Sequence, residues 1–165
     1  MELNVVLLEP EIAANTGNIG RTCAATGARL HLIEPLGFHL TARELKRAGM
    51  DYWDSLDVTR YSTWEDFLAR NPGASLFFLT TKARRDYTQM QYTPGCYLVF
   101  GKESAGIPEE ILVGAPERCA RIPMVDGARS LNLGNSAAIV MYEALRQNRF
   151  DGLSLQGDLH RLSWD

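Results

Sequence analysis

Three segments of this 165-residue chain gather small polar side chains, glycines and charges at spacings that suit ligand chemistry. The first runs Pro10-Glu11-Ile12-Ala13-Ala14-Asn15-Thr16-Gly17-Asn18-Ile19-Gly20-Arg21-Thr22. It follows an apolar strand, and open α/β sheets bind ligands at the carboxyl ends of their strands. Asn15, Asn18 and Arg21 stand at i, i+3 and i+6, along one side of a helix start. Backbone N–H groups at such a start favour an anion such as phosphate. Simple capping by Asn15 or Thr16, with Asn18 and Arg21 in solvent, fits the same residues. The second segment is Phe100-Gly101-Lys102-Glu103-Ser104-Ala105-Gly106-Ile107-Pro108, a strand running into a glycine-rich turn where backbone can approach a ligand closely. An ordinary strand-to-helix turn with a solvated Glu103 fits it equally. The third, Ile122-Pro123-Met124-Val125-Asp126-Gly127-Ala128-Arg129-Ser130-Leu131-Asn132-Leu133-Gly134-Asn135, offers Ile122, Met124 and Leu131 as walls of a slot for a flat ring. Ser130, Asn132 and Asn135 cluster beside it; capping explains any one of these three, and all three less comfortably. Neither Gly17/Gly20 nor the 100–108 turn has the order of a dinucleotide fingerprint or a phosphate-binding P-loop.

Strands alternating with helices must position these segments, which predicts an α/β domain with a mainly parallel sheet flanked by helices. Strands are expected at 3–8, 30–33, 75–80, 96–100 and 120–122. Helices are expected from Thr16 to Thr26, closed by Gly27, from the capping box at Thr41 and Glu44 to Gly49, and from Thr63 to before Asn71. Pro108 suits the first turn of a short helix. Leu133, Ala137, Val140, Met141, Ala144 and Leu145 lie on one apolar helical face. Residues 81–94 read as a polar loop. The division is one domain over 1–150 and a polar tail over 151–165.

Net charge is 17 − 20 = −3 with 45% hydrophobic residues, ordinary for a folded globular domain and without the basic excess of a dedicated nucleic-acid binder. Basic residues do cluster locally: Arg43, Lys46 and Arg47; Lys82, Arg84 and Arg85; Arg118, Arg121 and Arg129. No apolar run approaches the ~20 residues needed to cross a bilayer. Cys23, Cys96 and Cys119 form no CxxC or close pair and read as reduced thiols, which places the chain in the cytoplasm. His31, His39 and His160 are isolated, so no metal site is expected.

Taken together, the segments resemble the SPOUT class of RNA methyltransferases, in its SpoU branch of ribose 2′-O-methylating enzymes. The matching stretches are NTGNIGRTCAATG at 15–27, FGKESAGIP at 100–108 and IPMVDGARSLNLGNSAA at 122–138, and the likeness extends over residues 3 to 149. Lacking an added RNA-binding domain in this sequence, the chain looks like the minimal subgroup that methylates the wobble nucleotide, cytidine or uridine 34, of tRNA. Another tRNA or rRNA position, or a non-catalytic RNA-binding role that keeps the pocket, are the alternatives. Gly134 departs from the family, which usually has Ser there.

The resemblance implies a C-terminal deep trefoil knot, S-adenosylmethionine as cofactor, and a homodimer that binds the tRNA anticodon loop. It implies cofactor contacts at Leu79, Thr80, Gly101, Ile122, Met124, Ser130 and Leu131. It gives a catalytic part to Arg21, with Asn15 nearby; beside them Glu103 is the third candidate, to orient the cofactor loop or to help position Arg21. Arg43, Lys46, Arg47, Lys82, Asn132 and Asn135 are the candidate substrate-binding residues, the basic ones because local positive clusters suit RNA phosphates. Because guanidinium normally stays charged, Arg21 is better suited to gripping a phosphate and stabilising alkoxide charge than to accepting a proton, although both roles stay open on sequence.

Overall fold

The computed structural model describes residues 1–41, 43–44 and 51–164. Along the chain come β1 (Asn4–Leu8), α1 (Ala13–Thr26), β2 (Arg29–Ile33), β3 (Val58–Tyr61), α2 (Trp64–Arg70), β4 (Leu76–Leu79), β5 (Arg85–Asp86), β6 (Tyr97–Phe100), α3 (Glu109–Leu112), β7 (Cys119–Arg121) and α4 (Leu133–Gln147). Short 3-10 turns lie at Trp53–Ser55, Tyr87–Gln89 and Pro116–Arg118. Among the described residues the strands make one sheet in the order β3-β2-β1-β6-β4-β7-β5. Every neighbouring pair is parallel.

A parallel sheet covered on both faces needs strands that are apolar throughout, and Asn4-Val5-Val6-Leu7-Leu8 is buried along its whole length. The two-residue period sends Val5 and Leu7 to one face and Val6 and Leu8 to the other. On the first face they meet Ile19 and Cys23 of α1 and Ala137, Val140, Met141, Ala144 and Leu145 of α4. On the second they meet Phe67 of α2 and Leu112 of α3. Inside the sheet, Asn4, His31 and Tyr61 are joined to one another. The His31 ring nitrogens lie 2.9 Å from the Tyr61 hydroxyl and 3.1 Å from Asn4 Oδ1, linking the first three strands. Burial pushes the His31 imidazole down to about 4.

Local signals explain the helix ends. Thr63 accepts from the Asp66 N–H to start α2, and Asn132 accepts from the Asn135 N–H to start α4. The Thr41–Glu44 capping box forms, with the Thr41 hydroxyl donating to Glu44 Oε2 at 2.7 Å and accepting from the Glu44 N–H at 3.2 Å. The rest of that expected helix, with Lys46 and Arg47, lies outside the described residues.

The structure corrects four sequence expectations. α1 starts at Ala13 rather than Thr16, and neither Asn15 nor Thr16 caps it. β3 adds a strand that the mixed Val58-Thr59-Arg60-Tyr61 pattern did not announce, because an edge strand is only partly buried. The expected loop at 81–94 contains β5, a two-residue strand held by its pairing with β7 rather than by any apolar run of its own. Pro108 is the N-cap of α3 rather than a residue of its first turn. From 151 to 164 there is no helix or strand, although Leu153 packs on the core and the Met1 ammonium pairs with Asp151.

Candidate functional site

The carboxyl ends of β4, β6 and β7 open into one cavity of about 670 Å³, closed at its side by the starts of α1 and α4. Leu79, Thr80, Gly101, Ile122, Met124, Ser130 and Leu131, drawn from three distant segments, all line it. Parallel strands ending at one level produce this convergence, since each passes its next residues to the same rim. Gly101 is required by close approach. A Cβ there would lie 2.0 Å from the Gly106 carbonyl carbon and 2.2 Å from the Ile107 nitrogen.

A continuous set of hydrogen bonds ties the loops together. Asn132 Nδ2 donates to Asn15 Oδ1 at 2.9 Å, and Asn15 Nδ2 donates to Glu103 Oε1 at 3.1 Å. The Glu103 carboxylate also accepts the backbone N–H of Glu11 at 2.8 Å and of Ile12 at 3.1 Å. The anion before the N-terminus of α1 is thus a carboxylate from a loop some 90 residues away, bound to the N–H groups of the two residues that precede the helix. Glu103 is therefore not the solvated side chain of an ordinary turn. Its neighbour Ser104 donates through N–H and hydroxyl, each at 2.8 Å, to the Glu11 carboxylate. Those bonds hold Glu11 below the usual carboxylate range.

The cavity's lysines are neutralised locally. Lys102 Nζ lies 2.9 Å from Glu9 Oε2, which raises the ammonium above its ordinary value. Lys82 Nζ lies 2.9 Å from Glu109 Oε1, and this bond lowers the Glu109 carboxyl. Arg129 also lines the cavity. Among the described residues no group of three His, Cys, Asp or Glu is placed to hold a metal ion, and no helix is long and apolar enough to cross a membrane.

The structure separates residues that the sequence grouped. Asn15 is buried and faces the cavity, whereas Asn18 and Arg21 are exposed and do not line it. Asn18 instead lies beside Gly134, where a Cβ would come within 3.4 Å of it. Asn132 and Lys82 line the cavity; Asn135 contributes its backbone N–H to the α4 cap and is exposed, as is Arg43. Sequence reasoning missed Glu11, Lys102 and Tyr52. The charges of the first two gave no sign of pairing across the chain, and Tyr52 meets Gly17 only in three dimensions.

Comparison with known proteins agrees with this geometry. The model of the SpoU rRNA Methylase family matches residues 2–142. The tRNA (cytidine(34)-2′-O)-methyltransferase of Escherichia coli K12 is 48% identical over 93% of this chain and 99% of its own. A solved structure concerning the 2-OH methylation of C/U34 on tRNA superposes with TM-score 0.84 at 43% identity, covering 90% of this chain and 97% of that one. An AdoMet-bound rRNA methyltransferase from Sinorhizobium meliloti superposes with TM-score 0.77 at 31% identity, over 88% of this chain and 56% of that one. With its cavity-lining segments inside the matched span, the chain belongs to the SpoU methylase family.

Proposed function

We propose that this protein transfers a methyl group from S-adenosylmethionine to the ribose 2′-OH of nucleotide 34, the wobble cytidine or uridine of tRNA. The observation that carries the reading is the cavity at the ends of β4, β6 and β7, with Asn15, Glu103 and Asn132 bonded across its side. Its volume lies within the roughly 300–1,000 Å³ typical of small-molecule sites. Apolar Leu79, Ile122, Met124 and Leu131 suit a flat base, while Thr80 and Ser130 offer polar partners. Lysines already paired with carboxylates leave little repulsion toward a cationic sulfonium.

S-adenosylmethionine supplies the electrophilic methyl group. Leu79, Thr80, Gly101, Ile122, Met124, Ser130 and Leu131 bind and orient it, and Asn15 and Asn132 hold the rim against which the ribose is brought. Glu103, held by three donors, orients the loop. Arg21 grips the adjacent phosphate and stabilises charge developing on the 2′-oxygen. Lys82 and Asn132 at the rim, with Arg43, Lys46, Arg47 and Asn135, contact the anticodon loop.

Arg21 stands outside its own chain's cavity, and α1 packs on α4, where Ile139 and Tyr142 remain 36% and 46% exposed. We read these helices as the face that joins two copies, so that Arg21 of one serves the cavity of the other. The catalytic domain is residues 1–150, knotted at its C-terminal part as the family resemblance implies, with 151–165 as a tail, and the enzyme works in the cytoplasm.

The test is transfer of labelled methyl from S-adenosylmethionine to tRNA lacking the wobble modification, followed by mapping of the labelled nucleotide. Label on the ribose of nucleotide 34 is the expected result. Label at another nucleotide overturns the substrate, and binding of the cofactor without transfer to any RNA overturns the activity.

A further inference from the structure

We propose that Tyr52 is the positioning residue for Arg21, fixing the helical turn that leads to it through the phenol oxygen and its guanidinium through the ring. The inference rests on the reading that Arg21 acts in methyl transfer. The Tyr52 hydroxyl donates to the backbone carbonyl of Gly17, 35 residues away. Gly17 lies one helical turn before Arg21 in α1, so the phenol is anchored to the turn that leads to Arg21. The Arg21 guanidinium carbon lies 5.5 Å from the centre of the Tyr52 ring. No carboxylate among the described residues lies within ion-pair distance of Arg21, so the ring is what locates its charged end.

Gly20 makes the contact possible. A Cβ at that position would come within 3.1 Å of the Trp53 ring and 3.4 Å of the Tyr52 ring. The absence of a side chain at Gly20 lets the 3-10 turn at Trp53–Ser55, and the Tyr52 before it, come down onto the helix. The face of the Tyr52 ring attracts the Arg21 guanidinium and holds it in one direction, which fits a residue that stabilises negative charge.

The test measures kcat and KM for tRNA and for S-adenosylmethionine in Tyr52→Leu, Tyr52→Phe, Arg21→Ala and Tyr52→Leu/Arg21→Ala. Tyr52→Leu is expected to lower kcat about tenfold with both KM values within about threefold, the pattern of a misplaced catalytic group. Tyr52→Phe keeps the ring and is expected to lose only about threefold, at about a third of the wild-type kcat. In the Arg21→Ala background, Tyr52→Leu is expected to cost nothing further, since residues acting as a unit are not additive. A merely structural Tyr52 would lower activity equally in both backgrounds, and that result overturns the proposal. Wild-type kcat in Tyr52→Leu, with Arg21→Ala inactive, overturns it while leaving the role of Arg21 standing. Full activity in Arg21→Ala removes that role itself. If Tyr52→Leu does not fold, Tyr52→Phe with and without Arg21→Ala gives the same comparison through the oxygen alone, and an unchanged kcat overturns the proposal.

Discussion

Glu103 and Glu11 cap each other's loops. The Glu103 carboxylate accepts the Glu11 backbone N–H at 2.8 Å, while the Glu11 carboxylate accepts the N–H and hydroxyl of Ser104, each at 2.8 Å. Two acids stand side by side because each is supplied with donors from the other's loop. Glu11 is held below the ordinary carboxylate range chiefly by the Ser104 hydroxyl, then the Ser104 N–H, with Lys102 adding to it. A carboxyl lowered in the folded state contributes stability above its unfolded value, and the contribution is lost as pH falls through the folded value. Glu11→Gln is therefore expected to lower the thermal midpoint at pH 7. The difference from wild type should shrink once pH falls below about 4, near and under the carboxylate range. Thermal melts across pH 3 to 7 measure this, and a constant difference across that range would refute it.

Arg21→Ala should separate binding from chemistry. Loss of one electrostatic stabiliser is expected to cut turnover at least ~100-fold while cofactor affinity stays within about threefold. Calorimetric titration with S-adenosylmethionine beside single-turnover methylation makes the comparison. Wild-type turnover would sink the assignment.

Gly101→Ala places its new carbon against the backbone of Gly106 and Ile107, at distances no relaxation of a flexible side chain can relieve. The turn must open, at roughly 1–3 kcal/mol for overpacking. Chemical denaturation should register that loss, and S-adenosylmethionine binding should weaken with it because the same turn lines the cavity. Unchanged affinity would show that the turn does not contact the cofactor.

His31 predicts acid sensitivity within an unusual window. Its imidazole falls from an ordinary 6.5 to about 4 through burial, the dominant cause, so the unfolded chain binds the extra proton between those values. Stability from this group is complete above pH 6.5 and declines as pH falls toward 4, by about 2 kcal/mol at pH 5. Urea titrations at pH 7.5 and 5.0 should show that loss in wild type and a reduced one in His31→Gln. Equal losses would place the sensitivity elsewhere.

Much of this was written in the sequence, for identifiable reasons. β1, β2, β4 and β6 carry apolar runs that a sheet buried on both faces demands, and the face of α4 is spelled out from Leu133 to Leu145. β3 and β5 were not legible because their pairing depends on neighbours and not on their own composition. The cavity-lining positions were legible through the family resemblance, since its motifs end strands. The start of α1 was not, because local spacing offered Asn15 and Thr16 as caps while the helix begins at Ala13 without a side-chain cap and Glu103 binds the two residues before it. Arg21 was grouped with Asn15 by helical spacing, yet six positions are enough to turn one side chain inward and leave the other against Tyr52.

The strand order also dictates a timetable for synthesis. β1 is flanked by β2, made early, and by β6, made some ninety residues later, while both neighbours of β4 follow it in the chain. A nascent polypeptide lacking residues 97–100 has no middle to its sheet, so the apolar β1 and β4 leave the ribosome without the partner that separates them. Long-range parallel pairings of this kind close slowly and expose sticky edges meanwhile. The ribosome-bound first half is accordingly expected to stay sensitive to protease until β6 has emerged, and to need chaperone protection for that interval.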